Sequence, residues 1–124
     1  MDANAPSPSE DDVGKWETQL RKGGLGLAVL ATLWSGRLYG LEMLRRLESD
    51  AAMSVPEGTI YPLLNRLKTE GLVTSEWVEA AGHPRKYYSL TDVGRARVRD
   101  MAASWTSFAA GLERLLAPLK RDAR

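Results

Sequence analysis

The 124-residue sequence predicts a mainly α-helical fold that carries one small β-hairpin. Three observations point there. Between Trp16 and Gly71, apolar residues recur at spacings of three and four, the period of half-buried helices. From Leu72 to Leu90 that rhythm gives way to two short runs separated by the turn sequence AAGHP. From Thr91 the helical spacing returns and persists to Leu119.

The first twelve residues, MDANAPSPSEDD, are rich in proline, serine and acid and offer little to bury, so 1–12 is expected to be a disordered tail. A first helix follows, with Leu20, Leu27, Leu30, Ala31 and Trp34 on one side. Gly23, Gly24 and Gly26 weaken it by about 1 kcal/mol each relative to alanine. They either allow close helix approach or mark a break. Ser35-Gly36 ends the segment. A second helix is predicted over 40–49, with Leu41, Leu44 and Leu47 inward and Arg45 and Arg46 on its flank; residues 50–53 connect it to the third. The sequence Ser54-Val55-Pro56-Glu57 reads as a capping box, with serine as N-cap, glutamate three residues on and proline in the first turn. The third helix should stop at Gly71. Strands are expected at 72–79, with Val73, Trp77 and Val78, and at 85–90, with Tyr88 and Leu90 on one face. Thr91 caps the last helix, and Asp92 sits near its positive end. The order amounts to a helix-turn-helix followed by a β-wing, with additional helices at both ends.

The stretch EGTIYPLLNRLKTEGLV, residues 57–73, carries the first functional hint. Ile60, Leu63, Leu64 and Leu67 form a buried stripe, yet Pro62 interrupts the helix that carries it. On a helical wheel Gly58, Tyr61, Pro62, Asn65 and Thr69 fall on the opposite side, with Arg66 at its edge. That face holds no acid and offers a phenol, an amide, a hydroxyl and a guanidinium. A helix that reads the major groove needs such donors and a slim N-terminal half. Alternatively, Tyr61-Pro62 merely kinks a surface helix. The hairpin favours the first reading, because Arg85 and Lys86 follow its turn and two cations on a protruding wing can grip phosphate or enter the minor groove.

Whole-chain totals narrow the classes further. The chain has no cysteine and one histidine, His83, so disulfides, thiolate metal sites and histidine-rich metal sites are excluded. No cofactor or metal is expected, His83 is read as solvated or phosphate-facing, and no nucleophile–base pair suggests an enzyme. Asp2, Glu10, Asp11 and Asp12 make the tail acidic, leaving 17 basic against 12 acidic residues elsewhere, a balance of +5. That bias is compatible with nucleic acid. No apolar run reaches membrane-spanning length and no signal peptide is visible, so a soluble cytoplasmic protein is the expectation.

The motifs QLRKG (19–23), LYG (38–40), EGTIYPLLNRLKTEGLV (57–73) and HPRKYYSLTDVG (83–94) resemble those of the PadR family of bacterial transcriptional regulators. The resemblance covers about residues 16 to 105. It implies a winged-helix repressor, dimeric, binding double-stranded inverted-repeat operators through the third helix and the wing. By position it places Thr59, Tyr61, Pro62 and Arg66 in the recognition motif and Arg85 and Lys86 in the wing motif. It further implies that Ser54 meets phosphate at the helix start and that Asn65 tunes operator choice. Gly40-Leu41-Glu42 replaces the family's usual G-Y-E, and segment 23–26 is richer in glycine than usual.

The last helix is too apolar to lie singly on a small domain. Met101, Trp105, Phe108, Leu112 and Leu115, with Leu20 and Leu27 of the first helix, are the expected dimer contacts. Packing within one subunit is the competing account. The chain accordingly divides into a tail (1–12), a DNA-binding unit (13–91) and a dimerisation helix (92–120). Trp16 and Trp105 are candidates to line a cavity for a small hydrophobic or aromatic effector, against the plainer reading that Trp34 and Trp77 are core and Trp105 is interface filler. The expected function is a DNA-binding repressor. The alternative is a winged-helix interaction or ligand-binding module that does not bind DNA.

Overall fold

The computed structural model describes residues 10–122, and its first helix, α1, runs Glu10–Thr32 without a break. It therefore takes in residues 10–12 of the expected tail; residues 1–9 lie outside the described residues. The glycines neither break α1 nor serve close approach: a Cβ added at Gly23 or Gly26 would meet nothing within 4 Å. Tertiary packing of the C-terminal third holds the helix against their propensity. Val29, Leu30 and Leu33 are buried there, whereas Ala31, expected inward, is exposed.

A two-residue strand that the sequence did not announce, β1 (Leu38–Tyr39), leads into α2 (Gly40–Ala51). The carboxylate of Glu42 accepts the Tyr39 N–H at 3.1 Å, which ties down the helix entry. The inward stripe is Gly40, Met43 and Leu47, while Leu41 faces solvent and Leu44 is half-buried. The expectation for Leu41 is thus corrected. Gly40 sits under the Tyr61 ring, and Met43 and Leu47 face the core, a rotation that leucine spacing alone could not reveal.

Helix α3 spans Glu57–Thr69 with Pro56, not Ser54, as its N-cap, and no side chain caps it. The capping box does not form because Pro56 is extended (φ −66°, ψ 149°) and disfavours a helical residue before it, so the helix begins only after it. The Pro56 carbonyl instead accepts the N–H groups of Thr59 and Ile60 at 2.9 and 3.2 Å. At the other end, Leu72 N–H donates to Leu67 O and Gly71 N–H to Lys68 O, at 2.9 and 3.0 Å. Gly71 takes φ +78°, so this is a Schellman stop at the expected residue.

Strands β2 (Val73–Ala80) and β3 (His83–Leu90) form the wing, and the antiparallel sheet is ordered β1-β3-β2. Only Ala81 and Gly82 make the turn, with φ of 51° and 81°, so His83 and Pro84 belong to the strand and not to a longer turn. Helix α4 runs Asp92–Asp122. Thr91 Oγ1 accepts the Gly94 N–H at 2.9 Å and donates to Gly71 O at 2.6 Å, capping α4 and fastening it to the end of α3. Gly94 and Val98 are buried, and Met101 packs at the edge of the core. Beyond them α4 projects, with Phe108 63 % and Leu115 79 % exposed. The order of elements is the winged helix-turn-helix that the sequence predicts.

Candidate nucleic-acid interface

Burial of Ile60, Leu63, Leu64 and Leu67 turns the other face of α3 outward. Thr59, Pro62, Asn65 and Arg66 are exposed on it. Ser54 is exposed two residues before the N-cap, with no capping bond. Tyr61 is 41 % exposed and does not point straight out. Its ring folds back over Gly40, where an added Cβ would lie 2.5 Å from the phenolic oxygen. The outer face also carries more internal pairing than the wheel suggests. Arg66 Nε lies 3.6 Å from the Glu70 carboxylate, and Thr69 Oγ1 donates to Asn65 O at 3.0 Å. The Arg66 pair is solvent-exposed and weak, so it yields readily to a phosphate.

Arg85 and Lys86 are neighbours on β3, and successive strand residues point to opposite faces. They leave the strand on opposite faces, yet both side chains reach the cleft between the wing and α3. The Arg85 guanidinium lies 4.5 Å from the Tyr39 ring centroid. On that same face Arg37 sits 4.9 Å from the Tyr87 ring and pairs with Glu76 at 2.7 Å. Tyr39 and Tyr87 meet edge to face between the two guanidiniums. Lys86 belongs to the other face, with Nζ 5.9 Å from the Trp77 ring and 5.8 Å from that of Tyr88. Burial, and secondarily the neighbouring Tyr61 phenol, push the Tyr88 hydroxyl above the usual phenol range, so it stays a neutral group.

Between the outer face of α3 and the wing lies a cleft of about 460 Å³, lined among others by Tyr61, Asn65, Trp77, Arg85 and Lys86. Lys68 Nζ donates to Ser75 Oγ at 2.8 Å and ties α3 to the base of β2. Trp77, which the plainer of the two readings put in the core, is 68 % exposed. Strand alternation aims it to the same side as the buried Val73, but it stands beyond the edge of the core. That alternation was available in the sequence, whereas the reach of the core was not. Trp34 is only partly buried, with Arg95 and Arg99 at 4.7 and 5.1 Å from its ring.

A second cleft, about 710 Å³ and mostly apolar, lies between α1 and α4. Leu20, Leu27, Met53, Met101, Trp105 and Phe108 line it, and Gly23 and Gly24 leave room for it. Trp16 is exposed on α1 and is not part of the lining. Among the described residues no cluster of three or more histidine, cysteine or acidic side chains is placed to hold a metal ion, and no helix is long and apolar enough to cross a membrane.

A family model described as the transcriptional regulator PadR-like family matches residues 29–100. A transcriptional regulator of Mycobacterium tuberculosis is 29 % identical over 82 residues, which span 66 % of this chain and 76 % of the relative. Among solved structures, a PadR family transcriptional regulator from Eggerthella lenta is 36 % identical with a TM-score of 0.77, over 86 % of this chain and 94 % of that one. A PadR-like transcriptional regulator from Bacillus cereus is 32 % identical with a TM-score of 0.73, over 79 % and 96 %.

Proposed function

This chain belongs to the PadR-like family of transcriptional regulators, DNA-binding proteins and not enzymes, and from that premise we propose that it is a dimeric repressor of an inverted-repeat operator. The observation that carries the reading is the pairing of an outward, donor-bearing α3 face with a cationic wing across one cleft. Helix α3 enters the major groove with Asn65 and Arg66 toward base edges and Thr59, Tyr61 and Pro62 along its N-terminal half. Ser54 meets phosphate beside the start of α3. Arg85 and Lys86 meet phosphate from the two faces of the wing.

Residues 13–91 form the DNA-binding unit and 92–120 the pairing helix, whose first turns, at Gly94 and Val98, are shared with the core. Dimerisation is supported by the apolar surface left uncovered on one chain at Leu20, Trp105, Phe108, Leu112 and Leu115. Leu27 and Met101, which line the cleft beside it, complete the contact. Pairing there sets two α3 helices about one DNA turn, ~34 Å, apart. The cleft between α1 and α4 suits a small hydrophobic or aromatic effector against Trp105, with Trp16 closing it from the partner subunit. An effector that favours one spacing of the α3 helices releases the operator by population shift. The protein acts in the cytoplasm, where the chromosome is.

Titration of a duplex from its own promoter against unrelated duplex, at two salt concentrations, tests the reading. Asn65→Ala is expected to lose about 1–3 kcal/mol of discrimination. Arg85→Ala with Lys86→Ala is expected to weaken binding to every sequence and to lower the salt slope by about two. Equal wild-type affinity for both duplexes would refute sequence-specific regulation.

A further inference from the structure

Trp77 has no part in the roles assigned above, yet it is the most exposed tryptophan among the described residues, at 68 %, and it stands on the wing. Building on the DNA-reading role of α3, we propose that the cleft between α3 and the wing is a slot for one sugar–phosphate backbone, with Trp77 as its apolar wall. The groove geometry requires such a slot. A helix in the major groove and a wing in the adjacent minor groove straddle the strand that separates them, so that strand passes between the two elements. On this chain the space between them is the cleft of about 460 Å³ that Tyr61, Asn65, Trp77 and Lys86 line.

The chemistry of the walls suits that occupant. A nucleic-acid backbone presents an alternation of anionic phosphate and apolar deoxyribose. Arg85 and Lys86 supply the cations, the Lys86 ammonium standing over the Trp77 and Tyr88 rings at 5.9 and 5.8 Å. The indole supplies a flat apolar surface for a sugar and a single N–H donor at its rim. The Tyr61 hydroxyl, folded back over Gly40 and into the cleft, faces the slot from α3. One group opposes phosphate: Glu79 lies two residues nearer the wing tip on the same strand face and is exposed. Its charge confines the phosphate to the Lys86 end of the slot. A protein partner would find here a cation-lined furrow, a poor match for an apolar docking surface.

A backbone contact does not depend on base sequence, so binding is measured by anisotropy on both a labelled random-sequence duplex and the promoter duplex, across a salt series. Trp77→Ala is expected to bind both roughly tenfold more weakly with its salt slope unchanged, since the lost contact is not ionic. Trp77→Phe, which keeps a ring, should recover most of the loss. Lys86→Ala should weaken both duplexes and lower the slope by about one. Thermal melts of the Trp77 variants should match the wild type, because the side chain is outside the core. Trp77→Ala binding as tightly as wild type, while Lys86→Ala binds less, would overturn the slot and leave the DNA reading intact. A slope lowered by Trp77→Ala as much as by Lys86→Ala would reduce the indole to a support for the lysine and equally overturn it. A wild type that binds neither duplex would remove the premise along with the slot.

Discussion

Gly94 has no room for even a methyl group: a Cβ there would collide with the Leu72 carbonyl, a backbone atom that cannot step aside. That close approach lets Thr91 reach both Gly71 and the first turn of α4. Gly94→Ala is therefore expected to destabilise the fold by about 3 kcal/mol, read as a lower midpoint in urea. Gly40 is tight for a different reason. Its neighbour is the far end of the Tyr61 side chain, which can rotate away. The two glycines show how one residue type secures the fold at one place and accommodates the Tyr61 ring at another.

At the scale of the element, α3 carries a conflict between stability and shape. Pro62 supplies no N–H to the Gly58 carbonyl, a loss that an alanine would repair. The helix persists because four buried residues hold it to the core and a Schellman turn closes it. Pro62→Ala is expected to raise stability by about 1–3 kcal/mol in a thermal melt. It should also reduce the preference for the promoter duplex over random DNA, because the slim, exposed N-terminal half is altered. Greater stability with undiminished preference would mean that the proline serves only to bend a surface helix. Helix α1 shows the converse, in that its glycine-rich middle stays helical and lines the cleft against α4.

For the whole molecule, the decisive feature is the apolar surface that one chain leaves uncovered on α1 and the outer half of α4. A lone domain rarely exposes an aromatic and aliphatic stripe of this length. Phe108→Asp with Leu115→Asp is expected to leave the winged-helix core folded, since both residues project beyond it. The same pair should convert a dimer to a monomer in sedimentation. Promoter affinity should fall at least tenfold, because two reading heads no longer bind as one body. A wild type that sediments as a monomer at working concentration would end the dimer proposal.

Much of this was legible along the chain. The spacing of Ile60, Leu63, Leu64 and Leu67, the stop at Gly71 and the cap at Thr91 depend on contacts within a turn or two of helix, and local physics suffices for them. The family motifs likewise sit in contiguous stretches. What sequence periodicity could not determine is how each element is rotated and how far the core extends. The rotation of α2 puts Met43 inside and Leu41 outside, and places Gly40 beneath Tyr61, a residue twenty-one positions away. The exposure of Trp77 follows from where the wing outruns the core. Local patterns record which residues prefer burial; only the packing of one element on another decides which of them find it.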